Sequence, residues 1–310
     1  MKKRLLSILV SLAILSLLWA SLDREAIFAA LGQTDIAKLS WSLLLLVILI
    51  GLSTYRLKLL ALHGGFRLSG KSALQATLAA NALNMVVPGK LGDLLKAVMM
   101  TEDEPDRLAA AVALGFWEKL SDLAFLFLLA GIPLAILGQE PFYAAGLILA
   151  GFAGILALVI PSILSAPMRR IRRLQNLASE WTTTLAAMQR NRLPLFALFG
   201  LTVVIWSGHL AQITLMTWAL GVDCAPSCWV QVIALFPVAI VAGLVPMTFA
   251  GVGVRDAALV VLLSSHIGAP QAAALGVLFW LRYLVPGLLG SPLLPRFLDR
   301  LRGEIASRRT

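Results

Sequence analysis

Residues 81–100 read NALNMVVPGKLGDLLKAVMM. The surroundings are apolar, yet the stretch holds Asn81, Asn84, Pro88, Gly89, Lys90, Gly92, Asp93 and Lys96. A charge at the centre of a bilayer costs about 2.5–3.5 kcal/mol on insertion scales. Proline and glycine interrupt the backbone where lipid offers no hydrogen-bond partner. The stretch is therefore either a loop outside the membrane or an embedded break with a task. The apolar run before it, 72–87, would reach only about 24 Å as a helix, short of a hydrocarbon core of about 30 Å. A second short piece, 93–100, follows the break. Two short pieces around a Pro/Gly break predict a re-entrant hairpin that returns to its own side. Asn81, Asn84 and Pro88 recur at i, i+3, i+7, so they share one helical face, which turns amides toward the break.

Composition sets the class. The chain has 310 residues, 59% hydrophobic and 14% charged, with a mean hydropathy of +0.88. Soluble domains carry about 25% charged residues. An all-α polytopic membrane protein is expected, as a single transmembrane domain over 1–310. No hydrophilic block is long enough to fold separately. The net charge is +10, gathered in short clusters beside apolar runs. Such clusters mark loops on the cytoplasmic side facing anionic lipid, and nucleic acid is set aside as a partner.

Outward from the break, Lys2, Lys3 and Arg4 precede the apolar run 5–20, read as a retained first helix, with a cleavable signal peptide as the alternative. Residues 23–38 read as a mixed outer loop. A span over 39–60 ends in Tyr55, Arg56 and Lys58, followed by Arg67 and Lys71, a cytoplasmic end. The span 109–138 begins with Trp117-Glu118-Lys119-Leu120-Ser121-Asp122. Glu118 and Asp122 share a face at i, i+4, and Lys119 reaches Asp122 at i+3. Either these charges are solvated at the interface, or they form an acidic face turned toward the basic break. After the span 142–164 comes the basic segment 167–192, with Arg169, Arg170, Arg172, Arg173, Arg190 and Arg192. Its apolar Met168, Ile171, Leu174, Leu177 and Trp181 predict an amphipathic helix on the inner membrane surface. The span 193–220 carries Trp206, His209 and Gln212; His209 reads as a packing residue, with a proton relay as the alternative. The last span is 269–294, before a basic tail. Cys224 and Cys228 read as small loop residues, with a periplasmic disulfide as the alternative.

A second break resembles the first. Pro246, Gly251, Gly253, Arg255 and Asp256 separate the short apolar pieces 229–245 and 257–266. With both breaks re-entrant, about six spans remain, and every strongly basic segment falls on one side. The result is an inverted repeat of halves 39–164 and 193–294, joined by the basic cytoplasmic segment 167–192. The two hairpins enter from opposite faces, and both termini are cytoplasmic in a bacterial inner membrane. Paired broken segments of this kind point to a site at the midplane. Helix ends at the breaks suit an anion. Lys90, Lys96, Arg255 and Asn84 are the expected substrate contacts. Asp93, Asp256, Glu118 and Asp122 are structural or proton-coupling. Pro88, Gly89, Gly92, Pro246, Gly251 and Gly253 form the backbone breaks. The competing view is that these charges only pair with one another. No metal, cofactor or catalytic set is expected: His63, His209 and His266 are scattered, and no nucleotide-binding loop is present.

Three segments in order carry a resemblance: Pro88-Gly-Lys90-Leu-Gly92-Asp93-Leu-Leu-Lys96, then Glu118-Lys119-Leu-Ser-Asp122, then Pro246 to Asp256. Together they resemble the transmembrane family named after lysylphosphatidylglycerol synthase. The resemblance implies a flippase-like bundle, here as a stand-alone member without the synthase domain. It implies a transporter, not an enzyme, that moves an anionic or phosphate-bearing lipid, such as a phospholipid or a polyprenyl-linked lipid, between leaflets. A membrane-embedded lipid-modifying transferase, or a membrane partner that recruits a separate lipid or glycan synthase, are the alternatives.

Overall fold

The computed structural model describes residues 23–87, 92–102, 104–138, 141–190, 192–243 and 253–299. Among these residues the chain is helical, with no strand. The expected first span 5–20 and the break residues Pro88, Gly89, Lys90, Pro246 and Gly251 lie outside the described residues.

Twelve α-helices follow in order among the described residues: α1 Arg24–Gly32, α2 Ile36–His63, α3 Gly70–Val86, α4 Leu94–Met100, α5 Leu108–Ile136, α6 Pro141–Val159, α7 Ser162–Arg169, α8 Gln175–Arg190, α9 Arg192–Ala219, α10 Pro226–Gly243, α11 Val254–Ile267 and α12 Ala269–Gly290. Short polar side chains start the first three. Asp23 accepts from the Ala26 amide, Asp35 from those of Ala37 and Lys38, and Ser69 from that of Ser72. Each cap satisfies a donor that the first helical turn leaves unpaired.

Among the described residues, six helices are long and apolar enough to cross a membrane. Five coincide with expected spans. The sixth is α10, whose 18 residues reach about 27 Å; the sequence placed it as a hairpin arm. By contrast, α3, α4 and α11 have 17, 7 and 14 residues. Large apolar side chains stay exposed along the long helices, among them Trp41, Val47, Phe142, Leu149, Phe196 and Leu288. Such a belt suits contact with lipid tails, which do not drive apolar groups inward as water does.

Some expectations are corrected. Residues 23–38 are not a loop: α1 forms there on its Asp23 cap and packs on α12. The span 142–164 ends early, because α6 stops before Pro161 and α7 restarts beyond it; proline ends a helix by lacking an N–H and by crowding the preceding turn. The basic segment forms two helices. The apolar face of α8, with Ala178, Trp181, Leu185 and Met188, is buried. Trp181 packs edge-on against Phe116 of α5, at 5.5 Å between ring centroids, so this stripe covers protein and not lipid. Cys224 and Cys228 are joined in a disulfide, because the turn before α10 brings their Cα atoms to 5.8 Å, within bonding geometry. Thiol labelling of the denatured, non-reduced protein should fail, and labelling after reduction should modify both cysteines.

Helix pairing is reciprocal. Within the first broken segment α3 packs on α4, and α4 on α5. Within the second, α10 packs on α11, and α11 on α12. The first helix of each segment packs on the other half of the chain: α3 on α12 and α10 on α5. Of the remaining long helices, α2 and α9 pack on each other and α6 packs on α5.

Two apolar cores are stacked along the helices. One holds Leu57, Leu60, Ala61, Ala113, Trp117 and Leu198; the other holds Leu39, Leu126, Leu134, Ile213 and Phe279. On α5 the buried members of one core end at Trp117 and those of the other begin at Leu126, and stretches of α2 and α9 likewise fall between the two. The functional residues lie in that gap.

Candidate functional site

Six charged side chains close a ring in the gap. Arg56 of α2 bonds Asp122 at 2.7 Å and Glu118 at 2.9 Å. Lys96 of α4 bonds the same Glu118 oxygen at 3.0 Å and Asp93 at 3.1 Å. Lys119 closes the circuit, 2.9 Å from Asp93 and 3.8 Å from Asp122. Charges alternate around the ring, and three cations balance three carboxylates. Arg56 is 3% exposed and Glu118 2%. Unpaired charges this deep cost several kcal/mol each, so closure is what makes the layer tolerable. Two α9 residues extend it: Thr202 Oγ1 accepts from Arg56 at 3.1 Å, and Trp206 Nε1 donates to Asp122 at 3.2 Å.

Local backbone places these groups. The Gly92 amide donates to Asn84 Oδ1 at 2.8 Å, which ties the far side of the break to α3. A Cβ at Gly92 would meet the Ala80 carbonyl oxygen at 2.5 Å and the Asn84 nitrogen at 2.8 Å. Gly92→Ala must therefore push Asp93 and Lys96 away from the ring. A loss of about 1–3 kcal/mol is expected, as for overpacking elsewhere, and a thermal melt in detergent reads it. At the start of α11, Gly253 has φ +95°, a value glycine adopts without strain. Its amide donates to Asp256 Oδ2 at 3.1 Å, which caps α11.

Arg255 and Asp256 form a separate pair. Arg255 Nε and Nη2 both donate to Asp256 Oδ1, at 3.0 and 2.6 Å. The Arg255 guanidinium also lies 4.5 Å from the Phe279 ring centroid.

A polar cavity of about 170 Å³ opens onto the ring, lined also by Asn81, Asn84, Trp206, His209 and Arg282. A larger cavity of about 670 Å³, bordered by Phe142, Leu235 and Val261, is mostly apolar. The charged groups mark the smaller one as the chemical site.

The expected contacts Lys96 and Asn84, with Asp93, Glu118 and Asp122, converge on this cavity. Glu118 and Asp122 face inward onto Arg56 and Lys96 and are not solvated charges. Arg255 and Asp256 sit apart from its lining. His209 stacks edge-on against Trp206 at 5.5 Å. Among the described residues no cluster of His, Cys, Asp and Glu could hold a metal. Sequence reasoning missed two residues. Arg56 was read as a marker of the cytoplasmic end, and Arg282 lay unnoticed in the last span. The one available signal was a cation inside an apolar helix, with two or more turns of helix still to follow.

The family described as Lysylphosphatidylglycerol synthase TM region matches residues 4–290. No curated protein matches the chain.

Proposed function

Because the chain belongs to the Lysylphosphatidylglycerol synthase TM region family, a family of polytopic membrane proteins with lipid-related function, we infer that it moves an anionic or phosphate-bearing lipid between leaflets. The carrying observation is the closed ring of six charges around a polar cavity between two apolar cores. A lipid headgroup crosses slowly because its charge must leave water. A cavity already lined by paired charges offers replacement partners: a phosphate can take the place of one carboxylate without isolating a cation. The acyl chains stay in the bilayer.

The reciprocal packing of α3–α4 and α10–α11 supports an inverted pair of re-entrant hairpins, the arrangement that puts a transporter's site at the midplane. We place the arginine-rich segment around Arg169 in the cytoplasm. The disulfide then lies on the oxidising side, as disulfides in bacteria do. In a variant with Cys224 and Cys228 replaced by alanine, single cysteines at Glu102 and Ser265 should label from opposite faces, Glu102 from the cytoplasm. Labelling from the same face would refute the inverted hairpins.

Function is tested in proteoliposomes with a panel of headgroup-labelled anionic lipids, by following the accessibility of the label from outside. Movement is expected for the wild-type chain and lost in Lys90→Ala and Arg255→Ala. Movement that persists in both variants would remove the headgroup role of those residues. A second reading, a membrane partner for a separate lipid or glycan synthase, draws on one observation. Arg169, Arg170, Arg172 and Arg173 are exposed, while the apolar face of α8 is already covered. Copurification of an enzyme that is lost on neutralising those arginines would favour it.

A further inference from the structure

Arg282 of α12 lines the polar cavity. Its Nη1 is buried and makes no hydrogen bond. Among the described residues it pairs with no carboxylate. Its contacts are ring faces, at 5.0 Å to Phe279 and 5.9 Å to Tyr283. The other basic side chains of this layer are matched: Arg56, Lys96 and Lys119 by the ring carboxylates, and Arg255 by Asp256. Arg255 lies over the same Phe279 ring, so a second guanidinium reinforces the positive field at Arg282. Among the described residues the layer thus carries one positive charge in excess, beside the polar cavity and inside an apolar bundle. A half-buried cation with a buried Nη1 and no carboxylate partner among the described residues is costly inside an apolar bundle and calls for an anion.

We propose that Arg282 is the anion-binding residue of this cavity and takes a phosphate group through its guanidinium fork. Guanidinium binds phosphate in a bidentate manner, while ring stacking holds its plane in place. One surplus charge matches one phosphodiester charge. Asn84 spends its Oδ1 on Gly92, and its side-chain amide NH2 makes no hydrogen bond among the described residues, so a second donor faces the same space. At about 30 Å³ per water, a cavity of about 170 Å³ holds about five or six water-sized groups. That is room for a phosphorus and its four oxygens, but not for a lipid's chains. The phosphate arrives either on a lipid headgroup or free. Only the lipid source rests on the transporter reading.

The test is calorimetric titration of the full chain in detergent with three probes: dihexanoyl phosphatidylglycerol, inorganic phosphate and uncharged dihexanoylglycerol. Arg282→Gln should weaken the binding of the phosphate probes by about tenfold or more, the effect of one lost charged hydrogen-bonding group. The exposed-site control Arg67→Gln should leave binding unchanged. Wild-type protein that binds neither phosphate probe, or equal affinity in wild type and Arg282→Gln, would overturn the proposal. Tighter binding of the lipid probe than of inorganic phosphate assigns the source to a lipid; equal binding assigns it to free phosphate. If Arg282→Gln does not run as a folded species in size exclusion, Arg282→Lys decides. A weakening of about fivefold or more supports the fork, and unchanged affinity refutes it. Leaflet movement is measured separately. Phosphate binding that depends on Arg282 in a chain that moves no lipid defeats the transporter reading alone. Lipid movement unaffected by Arg282→Gln, with unaffected binding, defeats this inference alone.

Discussion

Replacing Arg56 by methionine should lower stability by about 3–5 kcal/mol, the cost of removing one partner from a buried ion pair. Arg56 reaches Asp122 and Glu118 on α5 and Thr202 on α9. It is the one ring cation that ties α2 to both helices. Methionine fills much of the same volume but takes the shared cation from Asp122 and from Glu118, which is 2% exposed. Proteins are stable by only about 5–15 kcal/mol, so the variant should unfold at a much lower temperature or fail to accumulate. Lys58→Met, two residues further on at an exposed position, should stay within about 0.5 kcal/mol of wild type. The two variants are compared by thermal unfolding in the same detergent, at low and high salt. The Arg56 effect should persist at high salt, because a buried pair is poorly screened. Equal melting points for the two variants would show that the ring does not hold the bundle together.

Glu118→Gln should be the next most damaging change. One oxygen of Glu118 accepts from both Arg56, at 2.9 Å, and Lys96, at 3.0 Å. The carboxylate therefore joins α2, α4 and α5 at a single point. The amide keeps the shape and loses the charge, which leaves the ring one positive charge in excess. The expected loss is about 1.5–3 kcal/mol for a charged hydrogen-bonding group. Unlike Arg56→Met, this variant should still fold, and it should lose lipid movement because Lys96 then has Asp93 alone to direct it. A double-mutant cycle with Lys96→Met should give a coupling of about 0.5–3 kcal/mol. Additive single and double variants would mean that the 3.0 Å contact carries no energy.

Much of the architecture was legible in one dimension. Run lengths of apolar residues set the long helices, and α2, α5, α9 and α12 begin or end within a few residues of where hydropathy puts them. The i, i+4 spacing of Glu118 and Asp122 announced a shared acidic face. What that face meets was not legible. Arg56 and Asp122 are 66 residues apart, and Arg56 and Thr202 are 146 apart; no local period encodes such a meeting. The helix α1 was hidden because its nine residues mix charged and apolar types and gain stability from α12 rather than from their own pattern. The buried stripe of α8 looked like a lipid-facing one, since burial on protein and burial in a membrane ask for the same apolar spacing.

The sequence by itself determined that this chain is a helical membrane protein, where most of its long helices run, and that residues 81–100 carry polar groups inside an apolar neighbourhood. These follow from short-range chemistry: hydrocarbon excludes unpaired backbone groups, so span lengths and breaks are written along the chain. Tertiary structure alone decided which charges are neutralised. It closed Arg56, Lys96 and Lys119 onto Asp93, Glu118 and Asp122, gave Asp256 to Arg255, and left Arg282 on the cavity wall beside Phe279 with no carboxylate partner among the described residues. Pairing energy depends on distance through space and on water excluded by neighbouring helices. Neither exists until α2, α4, α5, α9 and α12 have packed.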